Sequence, residues 1–80
     1  MNIPRNLNGK DFARKLTKLG YEFVRQRGSH YLVRTTINGK QTLSIPMHKP
    51  IKTATLHRLL KDVARHHNLS MEKVILVLDL

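Results

Sequence analysis

YEFVRQRGSHYLVRTTINGKQTLSI, residues 21–45, sets the architecture of this 80-residue chain. Residues 21–26 are rich in aromatic and β-branched side chains, residues 30–37 favour strand again, and residues 41–45 return antiparallel. Arg27-Gly28-Ser29 reads as a short turn between the first two strands, and Asn38-Gly39 as a two-residue hairpin turn between the second and third. Connections this short predict a three-stranded meander.

The flanking segments carry helical periods. Asn8-Gly9-Lys10-Asp11 reads as an N-cap with an acid in the first turn, after which Phe12, Leu16 and Leu19 recur at i, i+4 and i+7. Gly20 supplies the stop. Lys10, Arg14 and Lys18 fall opposite that stripe, and Asp11 is spaced to pair with Lys15 one turn on. Pro46-Met47-His48-Lys49-Pro50 ends the third strand in a constrained loop, since neither proline donates a ladder hydrogen bond. From about Thr53 a second helix begins, with Leu56, Leu59, Leu60, Val63 and Ala64 on one stripe. Ser70 can cap a last short element bearing Met71, Val74, Ile75 and Leu78. It reads as helix, although residues 74–78 are apolar enough for a short strand. The expectation is one α+β domain over residues 1–80. Its order is α-β-β-β-α plus a short C-terminal element, with helices on one face of a three-stranded antiparallel sheet.

Composition narrows the function. A chain this short has a core that only just offsets the entropy of folding, so a large buried pocket is not expected. There is no cysteine, hence no disulfide framework and no thiolate metal site. The residues after Met1 include Arg5 and no apolar run, and no apolar stretch approaches the ~18 residues of a membrane span. A cytoplasmic protein without a membrane partner is expected. Fifteen Lys and Arg against five Asp and Glu give a formal charge of +10, which favours a polyanionic partner and, among polyanions, nucleic acid.

Five histidines compete for a chemical role. His67 falls on the apolar side of the second helix and reads as a core-edge residue. His57 and His66 lie on that helix's flanks near Arg58 and Arg65, as solvated or phosphate-touching groups. His48, between two prolines, is as readily a surface residue as a substrate contact. His30 stands apart, because Gly28 lets the chain turn tightly just before it and Arg25, Arg27 and Arg34 are close in sequence. It is the candidate general acid/base, set against a structural role in capping the strand or bonding the turn.

Other constellations are missing. The carboxylates are scattered singly, with no pair for glycoside hydrolysis and no cluster for two metals. His66 and His67 are adjacent and point to different sides of a helix, so no metal-ligand set is assigned, and no cofactor. For an enzyme acting on nucleic acid without metal, RNA is the natural substrate, since its 2′-hydroxyl is an internal nucleophile. His30 is the catalytic candidate, and Arg25, Arg27, Ser29, Arg34, His48 and Lys49 are the candidate RNA contacts. A non-catalytic RNA-binding module is the alternative, and a basic surface docking on an acidic protein a third reading.

Leu16-Thr17-Lys18-Leu19-Gly20-Tyr21, Arg25-Gln26-Arg27-Gly28-Ser29-His30, Ile45-Pro46-Met47-His48 and Thr55-Leu56-His57-Arg58-Leu59-Leu60-Lys61 together resemble the HicA-like (YcfA-like) mRNA interferase toxins of toxin–antitoxin systems. The Gly-Ser-His and Ile-Pro-x-His elements stand in the family's order at similar spacing. The resemblance implies a double-stranded-RNA-binding-domain-like fold. It also implies a ribonuclease that cleaves mRNA with His30 in its active site, and a HicB-like antitoxin that obstructs that site. The chain departs from similar sequences in having Ala54-Thr55 where Gly-Thr is usual and Tyr31 where a second histidine is frequent. Residues 63–68 also form a longer link than usual.

Overall fold

The computed structural model describes residues 3–47 and 50–80. Helix α1, Gly9–Lys15, starts where Asn8 Oδ1 accepts the Asp11 N–H at 2.8 Å, and it tightens into a 3-10 turn over Leu16–Leu19. Gly20, at φ 84°, closes it in the left-handed region. Phe12 and Leu16 are fully buried, whereas Leu19 is only half-buried. Three residues per turn swing Leu19 off the line that the α-helical period would have drawn. Gly9 is dictated by close approach, since a Cβ there would lie 1.9 Å from the Pro46 carbonyl oxygen. The expected Asp11–Lys15 pair is not formed. Asp11 lies 3.7 Å from Arg14, one residue nearer, while Lys15 Nζ donates to the Asp79 carbonyl at 3.0 Å.

Strands β1 (Glu22–Arg27), β2 (His30–Thr35) and β3 (Gln41–Pro46) form the antiparallel meander in the order β1-β2-β3. Tyr21 precedes β1 and is buried, as part of the core rather than of the ladder. Arg27 pairs with His30, so the first turn is the two residues Gly28 and Ser29. Positive φ at Gly28 (60°) but not at Ser29 is the pattern of a type II′ hairpin.

The second connection is longer than Asn38-Gly39 alone: Thr35 pairs with Gln41, leaving residues 36–40 as the loop. Buried Thr35 explains the early stop of β2. Its Oγ1 donates to the Leu19 carbonyl at 3.0 Å and accepts the Ile37 N–H at 3.1 Å, turning the chain out of the sheet before Ile37 can pair. Asn38 and Gly39 do supply the positive φ values, 57° and 94°.

Helix α2, Thr53–His67, buries Leu56, Leu59, Leu60 and Val63 against Val33, Leu43 and Ile45 of the sheet and Phe12 and Leu16 of the first helical segment. Residues 63–68 complete this helix, which Asn68 ends in the left-handed conformation at φ 55°. Helix α3, Met71–Val77, settles the reading of the tail: Ser70 Oγ accepts the Lys73 N–H at 3.0 Å, and Val74 and Leu78 enter the core. The fold is α+β, with helices on one face of an open three-stranded sheet. No described helix is long and apolar enough to cross a membrane.

Candidate functional site

The face of the sheet turned away from the core is a grid of cross-strand rows. Arg27, His30 and Pro46 form the first, Arg25, Leu32 and Ser44 the second, and Glu22, Arg34 and Thr42 the third. Residues directly opposite in an antiparallel pair share a face, and successive rows on one face are about 7 Å apart along the strand. The core side carries Tyr31, Val33, Thr35, Leu43 and Ile45.

A β-bulge makes this grid possible. Phe23 pairs with Val33 and Arg25 with Leu32, so Val24 has no partner of its own. Strict alternation would have put Arg25 and Arg27 on the same side as Phe23. The extra residue reverses the parity, and both arginines join His30 on the open face.

His30 is exposed at the start of β2, with Arg27 about 5 Å away across the hairpin. On its other side opens a cleft of about 280 Å³ lined by His30, Ser44, Pro46, Lys52, Thr55 and Arg58. The sheet thus contributes the histidine and α2 contributes the cations. Neither Asp nor Glu lines this cleft, and α2 begins after Lys52, which provides no side-chain cap, with no acid in its first turn, so its positive dipole end adds to the field. Among the described residues, Arg58 is engaged only by Asp62, 3.9 Å away between two exposed side chains.

The other expected contacts are spread more widely. Arg25 lies one row from His30, and Arg34 two rows, about 13 Å along β2, with its Nε donating to Thr42 Oγ1 at 2.9 Å. Ser29 sits in the turn, where its carbonyl accepts the Met47 N–H at 2.8 Å and so ties the following loop to the hairpin. His48 and Lys49 lie outside the described residues. Lys52, Thr55, Arg58 and Ser44 were not among the expected contacts. Helical period alone puts Arg58 on a flank of α2, and only the long-range packing of that helix beside β3 brings it to His30.

Two of the remaining described histidines, His66 and His67, bond within the fold. His66 is half-buried: its Nε2 lies 2.9 Å from the Ile37 carbonyl and 3.0 Å from that of Gly39. Both are acceptors, so Nε2 carries the proton, and the ring holds the β2–β3 loop. His67 is buried, 3.1 Å from Tyr21 Oη, and Tyr21 also bonds Gln41 Oε1. Because Gln41 Nε2 donates to the Asp62 carbonyl at 3.2 Å, its oxygen is the end turned to Tyr21, so the phenol donates there and His67 Nε2 donates to the phenol oxygen. Burial and, after it, the Asp62 charge push the Tyr21 phenol up to about 12; burial and then His66 hold His67 below its ordinary value. His57 is exposed on α2. Among the described residues no three His, Asp or Glu side chains converge as a metal site.

The family model for the HicA toxin of bacterial toxin–antitoxin systems matches residues 9–64. This chain belongs to the HicA toxin family. The matched span runs from the start of α1 to the last turns of α2, and so takes in the bulge, the Gly28-Ser29 turn, His30 and every described residue of its cleft; α3 lies beyond it. HicA membership brings with it a partner of the antitoxin kind. Comparisons with curated proteins and with solved structures gave no match.

Proposed function

We propose that this HicA-family toxin is an endoribonuclease that cleaves mRNA in the cytoplasm with His30 as general acid/base, and that a HicB-like antitoxin restrains it. The observation that carries the reading is the placement of His30. It is exposed, beside a cationic cleft, on a sheet face bearing Arg25, Arg27 and Arg34. Such a face attracts the phosphates of a nucleic-acid chain.

The chemistry follows from the substrate. The 2′-oxygen of RNA attacks the adjacent phosphorus while the phosphorus–5′-oxygen bond breaks, leaving a 2′,3′-cyclic phosphate and a 5′-hydroxyl. One proton leaves the 2′-hydroxyl and one reaches the 5′-oxygen, and His30 carries one of these transfers with water carrying the other. A positioned acid/base contributes about 10²- to 10⁴-fold. Orientation of the strand by the basic face supplies a further part of the acceleration. The reaction needs no metal, because the nucleophile is part of the substrate.

The test is cleavage of labelled mRNA in EDTA by the wild-type chain and by His30→Ala. Histidine-dependent cleavage with cyclic-phosphate ends is expected, with circular dichroism showing the variant folded. A folded His30→Ala chain that still cuts would remove His30 from the mechanism. The width of the basic face, reaching Arg34 far from His30, suits a non-catalytic RNA-binding module as well. Retarded but intact RNA in the same assay would favour that second reading.

A further inference from the structure

We propose that Arg58 is the cation that stabilises the charge building on the reacting phosphate, acting opposite His30 across the cleft. The inference rests on the ribonuclease reading above. Among the described arginines, Arg58 alone lines the cleft that His30 lines. Arg27 stands on the opposite side of His30, toward β1, Arg25 is a row away, and Arg34 is two rows away and tied to Thr42. A phosphate seated in the cleft therefore meets His30 from the sheet, Arg58 from α2 and Lys52 from the residue that precedes it.

Arg58 is better suited than Lys52 on three grounds. Its guanidinium is a planar fork that matches two non-bridging phosphate oxygens at once, whereas an ammonium is a point charge. Its backbone is fixed, because Leu56, Leu59 and Leu60 on either side of it in sequence are anchored in the core at 0–2 % exposure. Lys52 precedes the helix. Finally, Arg58 is held only lightly: an exposed pair 3.9 Å long is worth little, so Asp62 parks the side chain near the cleft and releases it cheaply to a stronger anion. As the 2′-oxygen adds to phosphorus, the non-bridging oxygens gain charge, and a fork aimed at them binds the transition state more tightly than the ground state.

Single-turnover cleavage of one oligoribonucleotide by wild type, Arg58→Ala, Arg58→Lys and His30→Ala tests this. Arg58→Ala should lower the cleavage rate constant by about 10²-fold or more, the cost of removing one such donor. The apparent KM should change only a few-fold, and Arg58→Lys should recover part of the rate. Replacing a non-bridging oxygen of the scissile phosphate by sulfur should slow wild type but slow Arg58→Ala little further, a response that a merely structural arginine would not produce. Arg58→Ala within threefold of wild type, with His30→Ala inactive, would overturn the role of Arg58 and leave the ribonuclease reading standing. The same follows if sulfur slows both proteins equally. A wild-type chain that does not cleave would overturn the ribonuclease reading itself, and this inference with it.

Discussion

Deleting Val24 should leave β1 paired as it is now. In a regular strand the loss of one residue sends every side chain on one side of the deletion to the opposite face. Here the deleted residue is the one in β1 without a partner: Glu22 and Phe23 keep Arg34 and Val33, and Arg25, Gln26 and Arg27 keep Leu32, Tyr31 and His30. The two halves join into one unbroken alternation. Val24 is 42 % exposed, so the deletion forfeits a little over half the burial of a valine side chain, about 1 kcal/mol. For a domain of this size that is a fall in Tm of about 4–8 °C. Deleting Gln26 instead also consumes the bulge, but with Arg27 still paired to His30 it brings Arg25 opposite Tyr31, on the core side, and turns Val24 outward. The Gln26 deletion, which also loses the bond from Gln26 Nε2 to the Gly28 carbonyl, should therefore melt lower than the Val24 deletion and bind RNA differently. In a His30→Ala background the Val24 deletion should keep the parent's log–log salt dependence, while the Gln26 deletion should lose about 0.7 from the slope for its missing phosphate contact. A Val24 deletion that unfolds the chain, or that shares the shallower slope, would refute the account of the bulge.

Gly28 and Gly9 should respond to alanine for opposite reasons. At Gly28 a Cβ meets nothing, so Gly28→Ala should cost only the left-handed backbone, about 1–2 kcal/mol in denaturant unfolding; Gly9→Ala drives a methyl into the Pro46 carbonyl and should cost more. Below about pH 6.5 stability should decline, because His67, lowered by burial, stays neutral in the fold while the unfolded chain takes up the proton. His67→Gln should flatten that limb of a Tm-against-pH curve. At the alkaline end the sign reverses its cause: the unfolded phenol ionises from about pH 10 while Tyr21 holds its proton to about 12, so stability should fall between those values, and Tyr21→Phe should remove the fall. Arg34→Ala should raise the KM of a long oligoribonucleotide and leave that of a dinucleotide unchanged, since a dinucleotide held at His30 does not span about 13 Å. An equal effect on both would place Arg34 at the reacting phosphate.

Local signals carried most of the fold. The Asn8 cap, the Gly28-Ser29 turn and the Leu56, Leu59, Leu60, Val63 stripe are decided by residues within a turn or two of one another, and they read correctly. The parity of β1 was not legible, because Phe23, Val24 and Arg25 have no feature that says which of them lacks a partner; that depends on the hairpin register and on Val33 across the sheet. The length of the β2–β3 loop was not legible for a similar reason, since the hydroxyl of Thr35, the last residue of the ladder, bonds the carbonyl of Leu19, 16 positions away, and takes the Ile37 N–H. At the site, the sequence singled out His30 through its turn, and it grouped the strand arginines near it. It gave no sign of the α2 side of the cleft, because helical period says which face of a helix is apolar and nothing about which strand end its first turn will meet.

The sheet keeps its two faces largely apart in purpose: Val33, Leu43 and Ile45, buried in the core, are all on the helix side, while His30 stands on the other. On the mechanism proposed above, a single-codon change at His30 disarms the protein without disturbing what folds it. Cells that escape the proposed toxicity by this route would retain a harmless copy with the rest of its surface unchanged, which would still occupy antitoxin molecules and leave fewer for any active toxin made beside it. In such a lineage the gene would persist as a decoy, and its sequence would show a lost histidine within an otherwise undisturbed hydrophobic pattern.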